Sequence, residues 1–150
     1  KLMVLESIPP KVKLTEITNF LNRSQDKNGN PKVIVGRLKN HYKNAIPKAI
    51  KFAKKQIGLK YDNIFLLNND MYYCSELIYE AFLEDSIFQL NKMTFLHPDT
   101  GDTLTTWLDY YHKLKEDIPQ NELGINPGIM SLSEKINIVH IYGTPKNMKK

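Results

Sequence analysis

The sequence predicts an α+β domain in which a small antiparallel sheet packs on helices. Three segments read as strands: Lys1 to Ile8, Lys32 to Leu38 and Lys135 to Tyr142. Four others carry apolar residues at three- and four-residue spacing, the mark of a helix with one buried face. The two kinds do not alternate in the regular order of a parallel βαβ fold. At 150 residues, 41% hydrophobic and 25% charged, the chain is large enough for one core, so a single domain over residues 1–150 is expected.

In order, Lys1 to Ile8 is apolar apart from Glu6 and stops at Pro9-Pro10, a strand closed by a turn. Val12 to Arg23 begins extended and then places Leu14, Ile17, Phe20 and Leu21 at helical spacing, with Thr15 as the expected N-cap. An Asn-Gly turn signal lies in the loop Ser24 to Pro31. The strand Lys32 to Leu38 is β-branched, and Gly36 inside it marks either a bulge or a simple loss of packing. Ile46, Ala49, Ile50, Ala53 and Ile57 stripe a helix that starts near Ala45, with Pro47 tolerated in its first turn and Gly58 as its stop. Thr103 to Lys115 carries Leu104, Trp107, Leu108, Tyr111 and Leu114 on one face, with Asp102 or Thr103 as cap. An aromatic stripe at that spacing reads as core. Glu116 to Gly128 reads as loop, and Lys135 to Tyr142 sets Ile136, Ile138, His140 and Tyr142 on one face of a strand.

The net charge of +5 comes from 21 basic and 16 acidic residues, with lysine clusters at Lys48 to Lys60 and in a basic tail over residues 144–150. These read as a solvated helix face and a terminus, and no nucleic-acid motif accompanies them. No window approaches the ~18 apolar residues of a membrane span. The chain opens on Lys1 and already reads as structure there, which predicts a fragment or processed product, and any targeting segment could have lain upstream. A lone cysteine excludes an intrachain disulfide framework and a Cys-rich zinc site. Scattered histidines and the lack of a phosphate-binding glycine loop call for no metal or organic cofactor.

The chemistry concentrates in Tyr61 to Phe82, YDNIFLLNNDMYYCSELIYEAF. Leu77, Ile78, Ala81 and Phe82 continue from Cys74 at helical spacing, so Cys74 falls in the first turn of a helix. Unpaired N–H groups and the positive dipole end there stabilise a thiolate. That position suits a nucleophile. The residue type also allows the other reading, a small buried hydrophobe.

The Tyr-Asp pair at Tyr61 and Asp62, followed by YCSEL leading into an apolar helix, resembles the YiiX/YaeF-type permuted papain-like hydrolases, relatives of the NlpC-type cell-wall peptidases. The resemblance implies a papain-like, circularly permuted domain whose small antiparallel sheet packs on the nucleophile helix. It implies Cys74 as nucleophile and Glu6, on the first strand, as the carboxylate that orients a catalytic histidine. Tyr61 would contact the oxyanion or substrate, and Glu76 would anchor the first helical turns. In the family the histidine precedes the glutamate, which places it upstream of Lys1. The alternative base within the chain is His140, whose apolar strand face otherwise reads as that of a core histidine, while His41, His97 and His112 read as loop or surface residues. The activity implied is a bacterial cysteine hydrolase acting on an amide, either a cell-wall peptide or a lipid or small amide, with the cell envelope as the expected location. Two alternatives stand beside it: a thiol-dependent lipid acyltransferase, and a non-catalytic binding module if no upstream histidine exists. Expected partners are the substrate alone, with no nucleic acid, and a membrane only through an upstream segment.

Overall fold

The computed structural model describes residues 1–23 and 25–144, so residues 145–150 of the expected basic tail lie outside it. Strand β1 (Met3–Ile8) turns through a cis Pro9-Pro10 bond and pairs antiparallel with β2 (Lys11–Glu16), setting Glu6 opposite Lys13 and Ser7 opposite Val12. The helix expected from Leu14 begins only at α1 (Ile17–Arg23). Thr15 is a strand residue opposite Val4 rather than an N-cap. A β-branched run that can lay Val12 into the core beside a ready partner strand is worth more as a ladder than as a helical turn.

Strand β3 (Val33–Leu38) pairs antiparallel with the distant β6 (Ile136–Tyr142), with a register shift between Val35 and Gly36 that makes this glycine a bulge. A Cβ there would approach Ile136 Cδ1 to 3.2 Å. A 3-10 turn, Asn40–Ala45, feeds α2 (Ile46–Lys55), with Pro47 in its first turn. Then follow a loop, α3 (Cys74–Ala81), and β4 (Asn91–Lys92). Helix α4 (Thr105–Leu114) starts beyond both expected caps, because Thr103 is used in a bridge to Leu96 and Leu104 takes the N-cap position. The stretch read as loop holds two small elements: β5 (Leu123–Gly124), antiparallel to β4, and α5 (Pro127–Ser131), whose Asn126 cap accepts the Ile129 N–H at 2.9 Å.

The sheet expected from the sequence is thus three two-stranded antiparallel sheets among the described residues. The β1–β2 hairpin packs on α3 through its Ser7 and Val12 face, both buried, and α2 packs on the same helix. A second core joins Leu38, Ala45 and Ile87 with Tyr42, Ile46, Phe82, Phe88 and Ile136, tying β3 and β6 to the end of α3. Helix α3 is therefore held from several sides.

Candidate active site

Cys74 is the first residue of α3, and its side chain is exposed. The neighbours in the sequence explain why. Tyr73 and Ser75 are buried and both hold the Ile125 backbone: the Ile125 N–H donates to the Tyr73 hydroxyl at 3.2 Å, and Ser75 Oγ donates to the Ile125 carbonyl at 2.8 Å. With both flanks turned inward, the thiol between them faces out. The reading of Cys74 as a buried hydrophobe is thereby set aside. Its own N–H is one of the first-turn amides that a helix leaves unpaired.

The thiol opens on a cleft of about 300 Å³ lined by Phe65, Tyr73, Met93, Phe95, Trp107, Ile125 and Ile129, with Asn91, Lys92, Thr94 and Asn126 as polar members. The aromatic walls brace one another. Phe65 meets Tyr73 edge to face at 5.6 Å, Phe95 meets Trp107 at 5.1 Å, and Tyr110 and Tyr111 support them from behind. Gly124 lets β5 lie against β4, since a Cβ there would fall 2.5 Å from Met93 Sδ. The cleft is an apolar slot with a nucleophile-type atom at one edge.

Tyr61 stands beside the thiol, near enough for Cys74 to act on the ionisation of its phenol. Burial first, and then the nearby Cys74, push the Tyr61 phenol well above its ordinary value of 10. It stays a proton-bearing donor throughout the neutral range. Its backbone is fixed on both sides, by a bond from its N–H to the Pro10 carbonyl at 3.0 Å and by a parallel bridge to Tyr72.

Two carboxyl groups lie beneath. Asp62 is fully buried and accepts the N–H groups of Ile64 and Leu66, each at 2.7 Å, which curls the loop so that Phe65 takes a φ of 66°. A bulky residue held in the left-handed region is costly and needs such over-determination. Glu76 is 2% exposed and accepts the Tyr73 N–H at 3.1 Å, the reciprocal half of a capping box. Burial pushes its carboxyl up to about 8, with the nearby Asp62 adding to the shift. Together the two acids lock the loop 62–70 to the start of α3.

The other residues singled out in the sequence fall elsewhere. Ser7 Oγ donates to the Tyr72 carbonyl, so the neighbouring Glu6 projects from the opposite face of the hairpin. There Arg23 grips both oxygens of Glu6, at 3.0 and 2.6 Å. No hydrogen bond or shared cleft joins Glu6 to Cys74 among the described residues. His140 is exposed on β6, packed edge to face on Tyr142 at 4.4 Å, and is not the core histidine its strand pattern suggests. His97 Nδ1 accepts the Asp99 N–H, His112 is exposed in the last turn of α4, and His41 is exposed in the 3-10 turn. None of the four lines the cleft. Sequence reading missed the cleft walls Phe65, Met93, Phe95, Ile125 and Ile129, which lie in segments to which it gave no helix or strand. It also assigned Trp107 to the core. The one available signal was the density of large apolar residues in those loops.

An exposed cysteine at the start of a helix, packed on an antiparallel hairpin with a tyrosine beside it, is the arrangement expected of a papain-like thiol hydrolase. A sequence model of the permuted papain-like amidase enzymes, the YaeF/YiiX or C92 family, matches residues 1–140, and the chain belongs to that family. No curated protein matches it. Among solved structures it is similar to the crystal structure of the metalloprotein yiiX from Escherichia coli O157:H7, at 20% identity and a TM-score of 0.74, over 93% of this chain and 75% of that one. That likeness shows the papain-like fold.

Proposed function

We propose that this chain cleaves an amide through an acyl-enzyme on Cys74, with the acyl part of the substrate seated in the apolar cleft. The observation that carries this reading is the exposed Cys74 thiol at the edge of an aromatic-lined slot, with Tyr61 beside it. The thiolate attacks the carbonyl carbon; the oxygen gains charge as the tetrahedral intermediate forms. The Cys74 N–H and the Tyr61 hydroxyl are the donors for that oxyanion. The amine leaves with a proton from the general acid, and water then hydrolyses the thioester.

The base in this reading is a histidine outside residues 1–150, on the strand that precedes Glu6 in the resembling family. The placement of the four histidines away from the cleft supports it. Glu6 is the proposed orienting carboxylate, and its double bond to Arg23 would fix it in place for that task. The similar solved structure is titled a metalloprotein; among the described residues here no three His, Cys, Asp or Glu side chains gather to hold a metal ion, so no step is routed through one.

An apolar slot suits a fatty-acyl or aromatic acyl group better than a polar stem peptide, because burying unpaired polar groups there is costly. The test is to incubate the chain with p-nitrophenyl esters of increasing acyl length and locate the adduct by mass spectrometry. The expected result is a thioester on Cys74 that forms faster with longer chains and is absent in Cys74→Ala. Acylation spread over lysines, or equal rates for acetyl and decanoyl esters, would overturn the reading. The acyltransferase alternative shares the acyl-enzyme, and adding a primary alcohol or amine separates the two by which acceptor takes up the acyl group.

A further inference from the structure

Between Lys27 and Tyr61 the chain holds ten basic residues and no acidic one, whereas the net charge of the whole is +5. The segment that carries α2 is therefore strongly positive and the rest of the chain is net negative. Within this stretch Lys48, Lys51, Lys54 and Lys55 occupy the outer arc of α2, and Lys60 follows it. Lys48 lies 3.6 Å from Glu84, both exposed; the other four make no ion pair among the described residues.

The same surface exposes large apolar side chains. Ile50 is 49% exposed, Ile57 in the turn after the helix 45%, and Leu59 37%. Ile50 and Ile57 are seven residues apart, nearly in line on a helical wheel, with Lys54 between them at four- and three-residue spacing. The opposite arc of α2, centred on buried Ala49, packs on the nucleophile helix α3. An exposed isoleucine row bordered by unpaired lysines is a poor solvated face. It is a good interfacial one, because apolar insertion and attraction to anionic headgroups each add to binding.

We infer that α2 and the turn after it form a docking surface for an anionic lipid bilayer, with Ile50, Ile57 and Leu59 entering the headgroup boundary and Lys51, Lys54, Lys55 and Lys60 meeting lipid phosphates. No helix of the described residues is long and apolar enough to cross a membrane, so the protein lies on the surface through this face. The exposed isoleucines favour a bilayer over a nucleic acid, which offers no apolar layer to receive them.

The experiment is co-sedimentation of the chain with vesicles of phosphatidylcholine alone and of phosphatidylcholine with phosphatidylglycerol, at low and high salt. Binding is expected to the anionic vesicles only and to weaken with salt. Lys51→Gln, Lys54→Gln and Lys55→Gln together should lower it about a hundredfold, each basic residue near such a surface contributing roughly fivefold. Ile50→Ser with Ile57→Ser should lower it about tenfold and leave the salt dependence unchanged. The substituted side chains are exposed and remote from the cleft lining, and an unchanged alkylation rate at Cys74 confirms an intact fold. Failure of the wild type to bind anionic vesicles, or equal binding to neutral ones, would overturn the inference. So would full binding by the lysine variant, which would assign the effect to the C-terminal lysines. Unchanged vesicle binding by the isoleucine variant, alongside equal affinity for duplex DNA, would show a general polyanion surface instead.

Discussion

The two ends of the proposed catalytic apparatus are built in different ways. Around Cys74 most polar groups are committed: Asp62 to Ile64 and Leu66, Glu76 to Tyr73, Tyr73 and Ser75 to Ile125. Glu6, by contrast, is held by one partner, Arg23, on the outer face of a two-stranded hairpin. The first arrangement is a closed network whose members fix one another. The second is a single ion pair, which orders a carboxylate without by itself building a site. The proposed nucleophile is thus held by a network that reaches across the chain to Ile125, while the proposed orienting carboxylate rests on a single pair closer in sequence.

Removing a member of the closed network should cost most. Asp62→Ala deletes a fully buried acceptor and strands the Ile64 and Leu66 N–H groups, so a loss of about 3 kcal/mol in urea unfolding is expected. A change below about 1 kcal/mol would mean that the loop is held by its aromatic contacts instead. Next comes Tyr61→Phe, which keeps the ring and removes the hydroxyl. Acylation of Cys74 by activated esters should fall about 10- to 100-fold, with stability nearly unchanged. An unaltered rate would leave Tyr61 a packing residue.

Glu76 sharpens the comparison through pH. Its carboxyl rises from 4.5 in the unfolded chain to about 8 in the fold, so the folded state holds the proton more tightly. That contribution to stability is fully present below about pH 4.5 and is lost as pH rises through 8. A rise of that size corresponds to on the order of 5 kcal/mol. Glu76→Gln should flatten the decline between pH 5 and 8, read as melting temperature against pH, and an equal slope in both proteins would contradict the assignment. The smallest effect is expected at the Glu6 end, where Arg23→Ala breaks one partly exposed pair and should cost about 1 kcal/mol. A loss of several kcal/mol there would show that this end, too, is a closed network.

Much of the site was legible before the fold. The placement of Cys74 in a first helical turn follows from the spacing of Leu77, Ile78 and Ala81, and Glu76 at the third helical position is a local capping signal. Tyr61 was legible only through the family resemblance, because no periodicity ties a residue thirteen positions earlier to the thiol. The cleft was not legible at all. Its walls come from residues 65, 93, 95, 125 and 129, on segments too short or irregular to show a period, and from Trp107, whose helical stripe reads as core. The strand at Thr15 was missed for a related reason, since a helical pattern on one segment cannot reveal that a partner strand is waiting beside it.

The sequence by itself determined which residues start α3, where the chain turns, how the lysines cluster on α2 and which family motif is present. These are local properties, decided by side-chain spacing and backbone preference over a few residues. Tertiary structure decided that the thiol faces outward, that its neighbours pin Ile125, that an aromatic slot opens beside it, and that Glu6 meets Arg23 rather than Cys74. Those outcomes depend on which distant surfaces meet, and on the burial and pairing costs that only the folded contacts set.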